Sequence, residues 1–551
     1  MRKNSFILMC LSALVLLGCA TIDISKKNVA IVIQSDNLSA RLSQANNGVI
    51  KLDSASTAKK APGVAGSSSA AATTSVVSDM PLALIAEVAA PIYNGLTLRA
   101  THVAVQGTLA YVSYNYEGDK YLGAVDVIDI TDPNKPKLVQ SAIFPDTDIS
   151  SVCYADGYLY LVGAKDSYSD NGTGPAVLMK MKLSSGNLSN DIQLTGMTGY
   201  VGTDVKTANN YVYAVSGSNG VVGAYTSSDN KLQASLALSD LRAVGVNNGQ
   251  VIAFQNGTIN VLNPSTLTKI SNFTTSTDVA QAKRTIDFYN NSVLASEGTH
   301  GVGVYNLSTG AKINTIPVAT VTDPKINISE VVSNAVSINN EHIFVANGAA
   351  GVTIHKIVSN KIDNLVDFGN LVLAGSANFV ISSNGYVFVA DGFGGLKILK
   401  MLSINPTTGQ PTTIDCTQYP SYTGGNWMNV NSGETFAYNG AASLSGINVN
   451  SNLTWCGSLA VSEQLNINSG GVFYMKGSLS FGASGKSLII NANSKLKIEG
   501  SLVVFGNLIL NSGATLEFAG AGSTITVFGT VTKGSNVTIT GTYTDSFNSL
   551  K

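Results

Sequence analysis

Residues 386–398, with the sequence YVFVADGFGGLKI, decide the fold of the largest part of this chain. An apolar run leads into a glycine-rich turn and then into a second run that alternates apolar and polar residues. Alternation of this kind is typical of a half-buried β-strand, and glycine tolerates the positive φ angles of tight turns. A phosphate-binding glycine loop would instead open a helix, and no helical period follows. The stretch therefore predicts two antiparallel strands joined by a tight turn.

The same phrase of strand, turn and strand occurs seven times. Its copies begin at residues 109, 158, 211, 251, 292, 342 and 386. Repeats of about 40 to 50 residues are typical of four-stranded propeller blades. The last copy ends near residue 401 after three strand-like runs, and residues 81–88 resemble the missing fourth run. We therefore predict an all-β chain with a seven-bladed β-propeller at 81–401, in which 81–88 is the closing strand of the last blade.

A finer repeat follows the propeller. After a proline-containing connector at 402–425, an apolar residue and an asparagine recur together, followed by small or polar residues. The asparagines are Asn431, Asn450, Asn468, Asn491 and Asn511. A period near 20 with short strands predicts a β-solenoid at 426–551, in which each coil stacks on the last. The asparagines are expected to form turns and ladders, with a ligand-binding row as the alternative.

The first propeller repeat contains AVDVIDITDPNKP at residues 124–136. This segment resembles the LVIVD-repeat family of exported bacterial propellers, in which an apolar strand ending in Asp precedes an Asp-Pro-x-x-Pro turn. The resemblance implies a propeller fold and no single activity.

The first 19 residues predict export. Arg2 and Lys3 precede an apolar run that is too short to span a membrane, as in secretory signals. Residues 16–19 resemble the lipobox of bacterial lipoproteins, which implies a signal peptide at 1–18 and lipidation of Cys19. An ordinary signal peptide that contains a cysteine is the alternative. Because Ala20 follows, the resemblance implies a lipid anchor in the outer membrane or at the cell surface of a Gram-negative bacterium.

Residues 19–80 are expected to form the lipidated N-terminus and a flexible linker. The segment ends in a run rich in Ala, Gly, Ser and Thr that has little to bury. Residues 29–33 are apolar and could pair as a strand.

Three cysteines remain in the folded part. Cys416 and Cys456 could form a disulfide in an oxidising compartment, although sequence alone leaves their proximity open. Cys153 is expected to be a small buried apolar residue.

Two tryptophans, Trp427 and Trp455, fall in the early coils of the solenoid. They could cap the stack or form a surface on which a sugar ring stacks.

No recognisable catalytic or metal motif occurs in the sequence, and its four histidines have no metal-binding spacing. We therefore expect no catalytic residues, no metal and no cofactor. The formal net charge of −1 provides no basic surface for nucleic acid.

The sequence favours a membrane-anchored, surface-presented lipoprotein that acts as a non-catalytic binding or scaffolding module for a protein or glycan. One alternative is an extracellular polysaccharide-acting hydrolase or lyase, with carboxylates gathered from distant repeats. Another is a structural component of a surface or secretion assembly.

Overall fold

The computed structural model describes residues 29–36, 38–44, 49–50, 82–132, 135–166, 174–277, 283–321, 323–371, 373–383, 385–401, 416–520 and 522–551. The predicted signal peptide, Cys19 and most of the predicted connector lie outside these ranges. No helix in the described part of the chain is long and apolar enough to cross a membrane.

Seven antiparallel sheets form the propeller, and the predicted fold class is confirmed. We number the sheets as blades 1 to 7 and give the strands of each blade from the inside outward. The strands of blades 1 to 3 are Arg99–Gln106, Leu109–Asn115, Gly123–Asp129 and Lys137–Phe144; Thr147–Ala155, Tyr158–Lys165, Ala176–Lys182 and Ile192–Gly196; and Gly202–Ala208, Tyr211–Ser216, Val221–Thr226 and Leu232–Ala237.

Blades 4 to 7 have the same order. Their strands are Leu241–Asn247, Gln250–Gln255, Thr258–Leu262 and Lys269–Thr274; Ile286–Tyr289, Ser292–Ser296, Val302–Asn306 and Lys312–Ile316; Ala335–Asn339, His342–Ala346, Val352–Val358 and Lys361–Leu371; and Phe379–Ser383, Tyr386–Ala390, Leu396–Met401 and Leu82–Val88. The innermost strands of successive blades contact one another in a closed ring around the axis.

Blade 7 closes the ring by combining both ends of the propeller sequence. Leu82–Val88 pairs antiparallel with Leu396–Met401, and Lys397 Nζ donates to Glu87 Oε1 at 2.7 Å across this junction. The glycine-rich turn of the blade fits tightly, because a Cβ atom on Gly395 would lie 2.0 Å from the carbonyl oxygen of Val88. Asn378 Nδ2 also donates to the carbonyl oxygen of Ala100 in blade 1, at 3.0 Å. Strand pairing and side-chain bonds therefore join the first and last blades.

Tyrosines at one repeat position link the first four blades. Each is the third residue of its repeat phrase, and its hydroxyl donates to a backbone oxygen of the next blade. The bonds run from Tyr111 to Gly186, from Tyr160 to Ser227 and from Tyr213 to Pro264, at 3.0 to 3.1 Å. The repeated phrase thus provides contacts between blades as well as the strands themselves.

The interpretation of residues 19–80 as one flexible linker is wrong for the part that the structure describes. Val32–Gln34 adds a fifth strand to blade 1, whereas Leu42–Gln44 and Val49–Ile50 pair with the closing strand of blade 7. Between them, the 3₁₀-helix Leu38–Arg41 places the Arg41 guanidinium beside the fully buried Asp126 carboxylate. A buried carboxylate needs such a partner, so this segment is an integral part of the propeller.

The solenoid is a stack of parallel strands. Its strands are Trp427–Val430, Thr435–Val449, Asn452–Ile467, Val472–Phe481, Ser487–Ile490, Lys495–Val504, Asn507–Leu510, Thr515–Phe518, Ser523–Val527, Val531–Lys533, Thr538–Thr540 and Tyr543–Asp545. The long strands bend at stacked glycines. At one of these bends, a Cβ atom on Gly477 would lie 2.0 Å from the carbonyl oxygen of Gly457 in the coil before it. Glycine therefore permits the close stacking of coils.

The repeated asparagines form a ladder along one corner of the solenoid. Asn468 Nδ2 donates to Asn450 Oδ1 at 2.8 Å, Asn491 Nδ2 donates to Asn468 Oδ1 at 3.1 Å, and Asn511 Nδ2 donates to Asn491 Oδ1 at 2.8 Å. The predicted ladder is confirmed for four of the five asparagines; in the first coil, Asn450 Nδ2 donates to the carbonyl oxygen of Val430 at 3.0 Å and not to Asn431. It fixes the register of the coils, because each amide bonds to the equivalent amide one coil away.

The solenoid also packs against the propeller. Val503 and Phe505 belong to a buried apolar cluster that includes residues of blades 1 and 7. Lys135, in the loop before the outer strand of blade 1, places its amino group 4.0 Å from the centre of the Phe547 ring. Apolar contact therefore joins the two domains.

Candidate binding site at the mouth of the propeller

A cavity of about 490 Å³ opens at the end of the propeller where the innermost strands begin. We call it the mouth. Residues from all blades converge there because successive inner strands start at the same end of the ring. Its lining consists of Arg99, Thr101, Asn115, Ser150, Tyr200, Val201, Thr203, Gly217, Ser218, Asp240, Arg242, Lys283, Asn334 and Asn378.

The charged side chains of the lining are mostly basic. Three cations, Arg99, Arg242 and Lys283, face one carboxylate, Asp240. Arg242 is almost fully buried and forms an ion pair with Asp240 at 3.1 Å. Arg99 pairs at 2.7 Å with Glu117, which is exposed and lies outside the lining. Carboxylates therefore offset both arginines, and Lys283, whose Nζ bonds to a backbone oxygen, is the remaining basic group of the lining.

Lys283 reaches across the axis of the ring. It precedes the inner strand of blade 5, and its Nζ donates to the carbonyl oxygen of Ser150 in blade 2 at 2.6 Å. Burial lowers the pKa of Lys283 to about 7, with a further lowering by the charge of Lys206 and a partial compensation by Asp204. Since the burial of an amine disfavours its charged form, an anion in the mouth would stabilise the ammonium.

A second cavity of about 300 Å³ contains Asp204, Lys206 and Asp287 among its lining residues. The two carboxylates bond to neighbouring blades. Asp204 accepts from Ser151 Oγ at 2.9 Å and from the amide of Val244 at 3.2 Å, and Asp287 accepts from the amide of Ile338 at 2.7 Å. Burial raises the pKa of Asp287 to about 6. These carboxylates therefore hold the blades together.

His102 lies in the inner strand of blade 1. Its ring stacks on Phe379 with centroids 3.7 Å apart, and burial holds its pKa well below the usual value. Two other histidines, His342 and His355, lie in strands of blade 6. Within the described ranges, no three His, Cys, Asp or Glu side chains lie close enough together to hold a metal ion.

Large apolar side chains are exposed on the loops that surround the mouth. Ile92, Tyr200, Ile328 and Phe393 are each more than half exposed. They lie in the segments before the inner strands of blades 1, 3 and 6 and in the central turn of blade 7. Exposed apolar groups gathered on one face are typical of interaction surfaces. We call this set of loops the mouth face.

The sequence-predicted cysteines lie in different parts of the chain: Cys416 in the predicted connector, Cys456 in the solenoid and Cys153 in blade 2. Cys416 and Cys456 are joined by a disulfide, with Cα atoms 5.9 Å apart. Cys153 is free and only partly buried, whereas a buried residue was expected. Its sulfur lies 3.7 Å from Thr207 Oγ1.

The two tryptophans have different environments. Trp455 is fully buried, contacts Tyr422 and Tyr438 and donates from Nε1 to the carbonyl oxygen of Gly440 at 3.1 Å. Trp455 lies inside the stack, between Tyr438 of one neighbouring coil and Met475 of the other, so it is part of the core and does not cap it. The alternative that a sugar stacks on it is wrong because its ring is not accessible. Trp427 is half exposed, and its ring covers Gly446, where a Cβ atom would lie 2.1 Å from Cζ3.

The residues of the mouth were not identified from the sequence, yet they share a repeat position. Ser150, Thr203, Asn334 and Asn378 each stand eight residues before a repeat phrase, and Arg242 and Lys283 stand nine before. Aligning the repeats on their phrases would have gathered this polar and basic set. The signal was overlooked because each residue alone is an ordinary strand-start polar residue.

Comparison with known proteins gives structural likeness only. No protein-family profile matches the chain, and no curated protein sequence matches it. Among solved structures, the WD40 repeats of RRP9 are 10% identical and align over 57% of this chain and 96% of their own, with a TM-score of 0.42. The Neurospora crassa Pan2 WD40 domain is 12% identical over 55% of this chain and 89% of its own, with a TM-score of 0.40. A chain of the mitotic checkpoint complex is 12% identical over 61% and 98%, also with a TM-score of 0.40.

Proposed function

We propose that this chain is a surface-presented bacterial lipoprotein whose propeller is a non-catalytic binding module, with the mouth face as its contact surface for an extracellular protein or glycan. The observation that carries the proposal is the mouth itself, where basic side chains converge from three blades inside loops that expose four large apolar residues. Charged and apolar groups on loops of a rigid scaffold are the usual components of a binding surface.

The composition of the mouth favours binding over hydrolysis. Glycoside hydrolases use a pair of carboxyl groups on either side of the scissile bond. In the lining as described, Asp240 is the one carboxylate, and Arg242 forms an ion pair with it. The polysaccharide-acting enzyme and the structural component of a surface assembly remain hypotheses.

The docked N-terminal segment supports presentation close to a membrane. If Cys19 carries lipid, 12 residues lie between it and Val32, the first residue paired with blade 1, which makes 13 steps along the chain. A fully extended chain of that length spans at most about 45 Å. The propeller would therefore remain within that reach of the membrane surface, with blades 1 and 7 nearest to the anchor.

Anchoring and binding are tested separately. Metabolic labelling with palmitate should mark the wild-type protein and leave Cys19→Ala unlabelled.

Binding is tested by photo-crosslinking on intact cells, with the probe at an exposed position on the mouth face. A variant with Ile92, Tyr200, Ile328 and Phe393 all replaced by serine should lose the crosslinked product. Leu232→Ser with Ile270→Ser, on exposed positions of outer strands, is the matched control and should keep it. Labelled Cys19→Ala would overturn the anchor, and equal crosslinking by both serine variants would overturn the binding face.

A further inference from the structure

The geometry points to a ligand class: we infer that the mouth binds the carboxylate-bearing sugar residues of an acidic polysaccharide, with Arg99 and Lys283 holding the carboxylate. The inference rests on the proposed function in one respect, namely that the mouth is a binding site. It adds the charge and the chemical class of the ligand.

Among the blade 1 residues that line the mouth, two buried polar atoms lack hydrogen-bond partners within the described part of the chain. They are Arg99 Nε, which is a donor, and Asn115 Oδ1, which is an acceptor. Arg99 and Asn115 stand directly opposite each other in paired strands at the mouth. Buried polar groups are nearly always satisfied, so this end of blade 1 has polar groups without partners. The two atoms themselves have almost no accessible surface, and a ligand would meet the exposed part of the Arg99 side chain, which is 30% exposed. A sugar acid offers a carboxylate to the arginine.

Charge favours an anion over a neutral sugar. Within the lining, Arg242 is paired with Asp240, so Arg99 and Lys283 are the basic groups left for a ligand, and Arg99 shares its charge with the exposed Glu117. The deeper Lys206 is paired with Asp204 at 3.7 Å and adds no net charge. Charge-assisted hydrogen bonds to carboxylates are among the stronger polar contacts in proteins.

Size and shape favour a sugar ring over an acidic side chain. A cavity of about 490 Å³ falls within the range of small-molecule sites, whereas one aspartate or glutamate side chain would fill little of it. The lining also contains hydroxyls and amides that could bond to sugar hydroxyls, among them Ser218, Asn334 and Asn378. Two aromatic rings lie at the edge: Tyr200 lines the mouth, and Phe393 has the Arg99 guanidinium 5.8 Å from its centre.

Binding of trigalacturonate to the full-length protein in detergent micelles, measured by calorimetry at fixed pH and salt, tests the inference. The methyl-esterified trimer has the same backbone without the charges and should bind at least tenfold more weakly. Arg99→Gln and Lys283→Gln should each weaken trigalacturonate binding about tenfold to hundredfold, as expected for the loss of a charged hydrogen bond. Glu117→Gln frees Arg99 from its ion pair and should tighten binding, a result that misfolding would not produce.

Lys120→Gln is the matched control, since Lys120 is an exposed lysine of blade 1 outside the lining. It should bind like the wild type. Equal binding of the charged and esterified trimers, or an equal loss in Lys120→Gln and Lys283→Gln, would overturn the inference. Equally tight binding of a glutamate-rich peptide would overturn the assignment to a sugar acid. Absence of trigalacturonate binding, together with retained mouth-dependent crosslinking on cells, would overturn this inference and leave the proposed function standing.

Discussion

The propeller and the solenoid are both built from β repeats, but they place their charges in opposite locations. In the propeller, Asp204, Lys206, Lys283 and Asp287 lie along the interior of the ring, where burial lowers the pKa of Lys283 to about 7 and raises that of Asp287 to about 6. In the solenoid, the buried cluster is apolar, and the charged residues form ion pairs on one outer face, such as Lys495 with Glu517 at 3.0 Å. Interior charge is costly, and in the ring it is compensated by bonds between blades and by the ion pair of Lys206 with Asp204.

The two domains also differ in how their repeats hold together. Blades are joined by side-chain bonds that reach from one blade to the next, including the bond of Asn378 that closes the ring. Coils are joined by parallel pairing and by ladders of identical residues, and each coil contacts mainly its neighbours. The ring should therefore unfold as one unit, whereas damage in the solenoid should stay near the altered coil.

The largest expected effect is in the solenoid core. Trp455→Ala removes a fully buried indole and should lower the free energy of unfolding of the solenoid by about 4 kcal/mol, as for other large-to-small core substitutions. Trp427→Ala removes a half-exposed ring and should cost about 1 kcal/mol or less. Urea unfolding followed by circular dichroism compares the two variants. Equal costs would contradict the assignment of one ring to the core and the other to the surface.

Reduction of the Cys416–Cys456 disulfide should also act on the solenoid alone. The bridge closes a loop with a sequence separation of 40, and its loss should destabilise the first coils by about 3 kcal/mol. Cys416→Ser tests the change without reductant, and Cys153→Ser, in the propeller, is the control for the loss of a thiol. Hydrogen exchange should rise in residues 427–467 and remain unchanged in the blades. Faster exchange in the propeller would show that the domains are not energetically separate.

Removal of Arg41 should weaken the joint between blades 1 and 7. Arg41→Ala leaves the Asp126 carboxylate buried with Ser141 Oγ as a remaining donor, and it also removes two bonds to the carbonyl oxygen of Ala89. We expect a loss of about 2 kcal/mol and faster proteolysis within residues 29–50. Adding Asp126→Asn should recover part of the loss, because the uncompensated charge is removed. If Asp126→Asn lowers the free energy of unfolding by as much in the Arg41→Ala background as it does alone, the loss in Arg41→Ala does not come from the broken ion pair.

The sequence predicted features that are local in the chain and did not predict features that join residues far apart in it. The repeated phrase predicted the blades, and the repeated asparagines predicted the ladder, because both signals recur within one strand or turn. The mouth depends on residues that are brought together only when the ring closes, so their common repeat position carried no meaning before seven blades were aligned. The strand at 32–34 overlaps the apolar run 29–33 that could pair as a strand, but its partner in blade 1 was not predictable from that run. The strand at 42–44 is three residues long, which is too short for a periodic pattern. The roles of Trp427 and Trp455 depend on which side of a strand each occupies, and register decides that.

The smallest expected effect is the pH dependence of the propeller's stability, which tests most directly how the two domains differ in interior charge. Lys283 has a pKa of about 7 in the fold against 10.5 when unperturbed, so the fold disfavours its charged form. That cost is fully present below pH 7 and disappears as the pH rises toward 10.5. Lys283→Met should therefore stabilise the propeller by about 1 kcal/mol at pH 7, less than the pKa shift alone implies because the bond to Ser150 is lost, and the gain should shrink by pH 9.

The groups around Lys283 do not alter the direction of this effect. Asp204 attracts its charge and Lys206 repels it, while His102 stays neutral in this pH range because burial holds its pKa well below the usual value. Lys497→Met is the matched solenoid control. Lys497 pairs with Glu517 at 3.3 Å on the outer face, so its loss should destabilise slightly, by less than about 1 kcal/mol, without a trend between pH 7 and 9. Thermal unfolding of both variants at pH 7, 8 and 9 measures the difference. A gain from Lys283→Met that does not change with pH would show that the ring interior tolerates this ammonium without cost.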